Sequence, residues 1–247
     1  MVEAKWTKVK TGNARNQLDF LANLVEVPSM QLDIFSDTIC PWCYVGKRRL
    51  ERALKTRPQH DIAIAWRAFQ LNPTMPSEGM DRRNYIESKF GSPERARRIH
   101  DAVATAGAGE GISFAFDRIK RTPNTVLSHR LLRFAYRYDQ QSPLLDGLFR
   151  AYFEEGLDTG DLDVLTGIAA AAGLPEDEAR RFLLSADERE MVLAEDQLAR
   201  RQGINGVPCF IFNGRFALSG AQEPEALFQL FDLAREDDTE RRQASYN

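Results

Sequence analysis

The sequence predicts an α/β protein in which a βαβ unit and a ββα unit form one sheet, with a large all-helical insertion between them. Three observations carry this. Strand-like stretches occur only towards the two ends of the 247-residue chain. From Asp81 to about Gly203 the pattern is almost wholly helical. The first two strands are separated by a helical stretch, the crossover that a parallel pair requires. Residues 31–80 and 203–237 then make one discontinuous domain. Residues 81–202 make the inserted helical domain, and residues 1–30 an N-terminal extension.

The elements follow in order. Leu18, Leu21, Leu24 and Val25 have helical spacing and Pro28 ends the segment, so the extension reads as an accessory helix or a tail. "QLDIF" (31–35) alternates as a strand does, and "PWCYVGKRRLERALKTR" has helical spacing through Leu50 and Leu54. "DIAIAWRAF" (61–69) is a second strand with Ile62, Ile64 and Trp66 on one face. "LNPTMPSEGM" is a loop by its prolines and glycine. Helices are expected near 82–90, 93–106, 125–140, 144–155, 162–172, 176–185 and 187–202, parted by Gly, Pro or Asp. "GVPCFIFNGRFALSG" returns to strand character, and its "NGR" is a hairpin signal. "EPEALFQLFDLARE" is an amphipathic closing helix, and the polar tail after Asp237 is expected to fray.

Composition excludes several functions. The chain is 43% hydrophobic, ample for a packed core, and its net charge is -3. Its one basic cluster, "RARR" at Arg95–Arg98, makes no nucleic-acid surface. No apolar run reaches the ~18 residues a membrane span needs. "LDFLANLVEV" is broken by Asp19, Asn23 and Glu26, so it is not a secretory leader, and with Glu3 the acids also argue against a transit peptide. The expected location is the cytoplasm, where structural disulfides are rare.

Two of the three cysteines, Cys40 and Cys43, flank Pro41 and Trp42 where a strand gives way to a helix. Residues i and i+3 share a helix face with Cα atoms roughly 5 Å apart, within disulfide reach. Pro41 suits the first turn, where its missing N–H costs nothing. Cys40 then sits at the helix N-terminus, where free amides and the dipole stabilise a thiolate. Cys43, one turn in, is more buried. An exposed attacking sulfur beside a shielded resolving one is what thiol–disulfide exchange needs. A structural zinc site wants about four ligands, and only Cys209, His60, His100 and His129 remain, without metal-like spacing. No metal and no organic cofactor are expected.

"FSDTICPWCYVGKRRLERAL", "WRAFQLNPTMPSEG", "PNTVLSHRLLRFA" and "GINGVPCFIFNGRFALSGAQ", in this order, resemble the DsbA-like thioredoxin-fold oxidoreductases, specifically their FrnE-like cytoplasmic branch. The resemblance implies a thioredoxin-like fold with a helical insertion, and a redox pair with Cys40 as nucleophile and Cys43 resolving. It implies a cis Val207–Pro208 bond, with Val207 and Pro208 binding the substrate backbone as an added strand would. It brings Asn124 and His129 towards the cleft as substrate-binding candidates, although Asn124 also fits a helix cap and His129 a buried helical histidine. Gln70 and Asn72 would line the mouth. Partners would be protein or peptide thiols and disulfides, or small thiols such as glutathione as co-substrate. Two departures stand out. Cys209 follows Pro208 where an apolar residue is common, and alternation turns it to the sheet's other side, as a buried thiol. Trp42, unlike the His of strongly oxidising members, carries no charge beside the sulfur. Lys47, Arg48 and Arg49 read as a solvated helix face. The alternative is a glutathione-dependent isomerase or transferase of the 2-hydroxychromene-2-carboxylate isomerase or kappa class, whose members typically have Ser in place of Cys40.

Overall fold

Met30, Leu32 and Ile34 alternate along the first strand and are at most 2% exposed, as fits a strand covered on that face and paired along both edges. The computed structural model, which describes residues 30–245, places this strand, β1 (Met30–Ser36), inside a four-stranded sheet. The expected N-terminal extension lies outside the described residues, except that Met30 already belongs to β1. β1 pairs in parallel with β2 (Ile62–Ala68), Met30 facing Ile62 and Ser36 facing Ala68. Helix α1 (Pro41–Thr56) makes the crossover. From the far end of the chain, β5 (Cys209–Phe212) pairs antiparallel with β1, and β6 (Phe216–Ser219) with β5. The order is β2-β1-β5-β6. The hairpin turns on Asn213 and Gly214, with φ of 51° and 67°. Such positive φ at both central residues is why an Asn-Gly pair marks this turn in the sequence. The fold is the mixed α/β, thioredoxin-like one expected.

Between β2 and β5 lie α2 (Arg82–Phe90), α3 (Pro93–Ala108), α4 (Val126–Tyr136), α5 (Gln141–Arg150), α6 (Leu162–Ala171), α7 (Glu176–Leu184) and α8 (Arg189–Arg201). Three begin on side-chain caps. Asp81 accepts from Arg83 N and Asn84 N, Ser92 from Arg95 N, and Asp161 from Asp163 N and Val164 N. One sheet face (Leu32, Ile34, Trp66, Phe210, Phe212) joins Tyr44, Leu131, Leu144 and Phe149 in the main core. The other (Phe35, Phe69, Cys209) meets Ala199 and Ile204 in a smaller one. The backbone of β2 and the residues after it donate to side chains of the helical block. Trp66 N donates to Gln141 Oε1, Ala68 N to Glu195 Oε2 and Gln70 N to Asp196 Oδ1, at 3.0, 3.0 and 2.8 Å.

Some local expectations are corrected. The segment from Asp81 is not wholly helical. β3 (Met80–Asp81) pairs antiparallel with β4 (Arg121–Thr122), strands too short to leave a periodic signature. The helix expected over 125–140 stops at Tyr136, and Asp139, at φ 55°, breaks the path to α5. α5 runs on as a π-helical turn, Ala151–Glu155. The tail does not fray at Asp237: α9 (Pro224–Ser245) continues, with Asp237 paired to Arg241 at 3.0 Å and also to Arg215. Nor do Lys47, Arg48 and Arg49 form a solvated face. Lys47 is 1% exposed and reaches Asp146 at 2.7 Å as well as Glu51, while Arg49 bonds Glu110 at 3.0 Å. The inserted helices cover that side of α1, so its charges pair inward. Among the described residues no helix is long and apolar enough to cross a membrane.

Candidate active site

The site forms where β1 ends and α1 begins. Cys40 is the N-cap residue of α1, in extended conformation (φ -93°, ψ 112°), and Pro41 occupies the first turn. The Cys43 and Tyr44 amides close the turn on Cys40 O at 3.0 and 3.3 Å. No acid stands in this first turn; the nearest along the chain is Asp37, just before the helix. Both thiols are free. Cys40, expected to be exposed, is buried at 4% exposure because the Val207–Pro208 loop closes over it, and Cys43 is fully buried. Burial, first, and then the Cys40 thiol push Cys43 well above the ordinary thiol range. The Ser36 hydroxyl and the Asp37 amide beside its sulfur pull the other way. Cys43 is therefore held as a thiol.

The opposite wall comes from the other end of the chain. The Val207–Pro208 bond is cis, and Cys40 Sγ donates to Val207 O at 3.6 Å. Pro208 packs on α1 at Gly46. Trp42 is partly buried against the main core. Cys209 points away into the smaller core at 3% exposure, and burial raises its thiol.

The segment Asp37–Ile39 is held from three directions. Cys40 N donates to Asp37 O at 3.0 Å, Leu71 N to Asp37 Oδ2 at 2.7 Å, and Thr38 Oγ1 lies 2.8 Å from Ser128 Oγ on α4. His129, also on α4, is 2% exposed, and its Nε2 stands 3.5 Å from Asp37 Oδ1. Asn124 ties a loop to a helix: its Nδ2 donates to Met75 O at 2.7 Å and its Oδ1 accepts from Val126 N at 3.0 Å. Both ends of its amide are thereby occupied, as for the capping role weighed from the sequence. Gln70 is 1% exposed, and Asn72 Nδ2 reaches Tyr85 Oη at 3.3 Å.

The structure thus brings together Cys40, Pro41, Trp42, Cys43, Val207 and Pro208. His129 lies behind the Asp37–Ile39 segment, and Asn124 on the adjoining loop. Sequence reasoning passed over Asp37, Tyr85 and Gly46. Only Asp37 left a signal, an acid in the "SDT" between strand and cysteine. Among the described residues no three His, Cys, Asp or Glu side chains are grouped to hold a metal.

Residues 31–232 match the DSBA-like thioredoxin domain family. The crystal structure of the probable DsbA oxidoreductase SCO1869 from Streptomyces coelicolor superposes with a TM-score of 0.75 at 32% identity, over 83% of this chain and 89% of that one. The cytosolic disulfide reductase DsbM of Pseudomonas aeruginosa, also solved with GSH, gives 0.57 at 22% identity, over 86% and 99%. A 2-hydroxychromene-2-carboxylate isomerase gives 0.61 at 16% identity, over 88% and 99%. The last two share the fold.

Proposed function

The chain belongs to the DSBA-like thioredoxin domain family, and from that premise we propose that it is a thiol–disulfide oxidoreductase with Cys40 as the exchanging sulfur and Cys43 as the resolving one. One observation carries the reading. Two free thiols stand one turn apart at a helix start, the outer facing the Val207 carbonyl and the inner fully buried. In the reducing direction the Cys40 thiolate attacks a substrate disulfide and expels one half as a thiolate. Cys43 then attacks Cys40 of the mixed disulfide and the second half leaves. The substrate's two sulfurs are reduced, and the Cys40–Cys43 pair is oxidised. The reverse sequence oxidises a dithiol.

Val207 offers its backbone to an extended substrate strand. Residues 81–202, taken as an inserted helical domain, roof the cleft in this reading, while His129 backs the Asp37–Ile39 segment and Asn124 holds the adjoining loop to Met75 and Val126. Substrates are peptide or protein thiols and disulfides, or small thiols such as glutathione. The couple itself is the redox group, and the cytoplasm is the working compartment, in keeping with the FrnE-like resemblance. A glutathione-dependent isomerase shares this fold but does not need Cys43, so the intact pair favours exchange.

Cys40→Ser is expected to abolish reduction of a peptide disulfide, and Cys43→Ser to accumulate a mixed disulfide on Cys40. Full reductase activity in Cys40→Ser would end the reading. Cysteine-independent isomerisation would move the protein to the alternative.

A further inference from the structure

The outer edge of β2 is only half sealed. Trp66 turns its backbone outward, where the Gln141 amide stands in for a neighbouring strand: Trp66 N donates to Gln141 Oε1 at 3.0 Å and Gln141 Nε2 to Trp66 O at 3.2 Å. Ala68 N, also outward, donates to Glu195 Oε2 at 3.0 Å. The alternate residues pair inward with β1, as Met30 N donating to Asp61 O and Phe69 N to Ser36 O show. By the same alternation Ile62 and Ile64 direct their N–H and C=O groups outward, and among the described residues these groups meet no partner. No proline, charge or bulge guards the stretch, although these are the usual means of blunting an edge. Beside it lies a cavity of about 190 Å³, with Leu50 and Leu54 of α1 and Ile64 and Trp66 of β2 as its floor, and Tyr136 and Asp139 at its rim. Lys47 and Glu51 also reach it, but they are paired with each other. Asp139 is exposed and has no ion-pair partner among the described residues.

We propose that the Ile62–Ile64 edge is a docking site for an extended peptide of a partner protein, which adds to the sheet as an antiparallel strand with an apolar side chain in the cavity and a lysine or arginine at Asp139. The backbone supplies the pairing, because Ile62 and Ile64 can each exchange an N–H and a C=O with one peptide residue. The residue opposite Ile64 points to the same face of the sheet as Ile64, and so into the cavity. That space exceeds the ~150 Å³ that holds a benzene-sized group, so a leucine or isoleucine side chain fits it. Gln141 sets where the strand ends, since it already occupies the backbone of Trp66. The peptide residue two positions before the apolar one shares its face and comes to this end, where Asp139 selects a cation. The site lies away from the cysteines. Ser36, just before the Asp37–Cys40 turn, faces Ala68, whereas Ile64 is about 13 Å back along β2. Docking there leaves Cys40 and Val207 untouched, and the inference stands whether or not the cysteine pair exchanges disulfides.

The test titrates the full chain with a capped, fluorescein-labelled peptide, Lys-Thr-Leu-Thr-Val-Thr, read by anisotropy. Saturable binding is expected, with slower hydrogen exchange at the Ile62 and Ile64 amides in the complex. Methylating the peptide nitrogens that face β2 keeps every side chain and should weaken binding about 10-fold, a measurement that needs no variant to fold. Leu54→Trp, which fills the cavity from a half-buried position, should weaken it to a similar degree. Asp139→Asn should weaken it about 3-fold, the scale of one exposed ion pair, and a peptide with glutamine for lysine should match that loss. Asp139 has φ 55°, a conformation that Asn adopts as readily, so this variant keeps its backbone. Protein alkylated at Cys40 should bind as wild type does. No saturable binding at about millimolar peptide, equal binding of the methylated peptide, or loss of binding on Cys40 alkylation would overturn the proposal. So would binding seen only after removal of residues 1–29, which would assign the edge to the chain's own N-terminus. A dimer in sedimentation that Leu54→Trp dissociates would overturn it in favour of a second copy.

Discussion

Gly46, one turn beyond Cys43, has no room for a side chain: a Cβ there would stand 2.8 Å from Pro208 Cγ and 3.5 Å from Phe210. Pro208 is rigid, so the clash is relieved only by moving the loop that carries Val207 or by tilting α1. Gly46→Ala gains up to about 1 kcal/mol of helix propensity and loses about 1–3 kcal/mol to overpacking. A net fall of a few degrees in Tm is expected, with slower turnover of a peptide disulfide. An unchanged Tm and turnover would show that the contact yields easily. His100 gives a pH prediction. It is half-buried and stacked on Phe116, centroids 4.1 Å apart and planes 10° from parallel, and burial, reinforced by Arg82, lowers it from 6.5 to about 4. Between those values the unfolded chain binds the proton and the folded one does not. Its contribution is full above about 6.5 and lost as pH falls towards 4. Allowing for solvent at a partly open site, this is on the order of 1 kcal/mol. His100→Phe should lose less stability than wild type between pH 7 and 5 in matched urea titrations. At this scale the two cysteines stood out by their spacing, and Pro208 only through the family resemblance. Asp37 and Lys47 did not stand out. A charged residue reads as solvated until the fold shows what meets it, and the partners, the Leu71 amide and the His129 ring for Asp37 and the Asp146 carboxylate for Lys47, lie far along the chain.

Helices end with unpaired carbonyls, and α7 ends on a guanidinium. Arg130, 3% exposed on α4, donates to Phe182 O, Leu183 O, Ser185 O and Asp187 O at 2.7, 3.2, 3.0 and 2.7 Å, with its plane over the Phe182 ring. A lysine there has three donors from one point and cannot span that fork. Arg130→Lys is expected to cost about 2–4 kcal/mol in urea unfolding, with hydrogen exchange of α7 most accelerated. A loss below about 0.5 kcal/mol would mean that water replaces the fork. The edge of β2 shows why whole elements were easier to read than their junctions. Strands and helices carry periods of two and 3.6, and most were placed within a few residues. The contacts that seal β2, from Gln141, Glu195 and Asp196, have no period at all. Nor do the two-residue strands β3 and β4.

At the scale of the whole molecule α1 is bound to the helical block through charge. Lys47 joins Glu51 on its own helix to Asp146 on α5, and Arg48 reaches both at 2.9 and 3.2 Å. Lys47 is buried while Glu51 and Asp146 are 39% and 31% exposed, so the acids keep water and Arg48 if Lys47 goes. Lys47→Ala should cost about 1–3 kcal/mol, mostly through the emptied stem, and Lys47→Met should recover most of it. An Ala variant with wild-type Tm would show that the cluster is not structural. No metal-binding group of His, Cys, Asp and Glu exists among the described residues, so elemental analysis of protein purified without chelator should find far less than one zinc per chain. One tightly held zinc lost in Cys43→Ser would contradict it. The architecture itself was legible because a helical block between two strand groups leaves few ways to close a sheet.

β1 pairs with strands from both ends of the chain, and this has a consequence for the protein's birth. During translation β2 emerges soon after β1, whereas β5 follows only after the whole helical block. At about 5–20 residues per second, the ribosome needs roughly 7–30 s to deliver the stretch between Ala68 and Cys209. For that interval one side of β1 has no neighbour, and the nascent Cys40 lacks Val207 opposite it. Thiol-reactive cross-linking of stalled nascent chains should therefore capture Cys40 readily until Pro208 clears the exit tunnel, and much less once α9 has emerged.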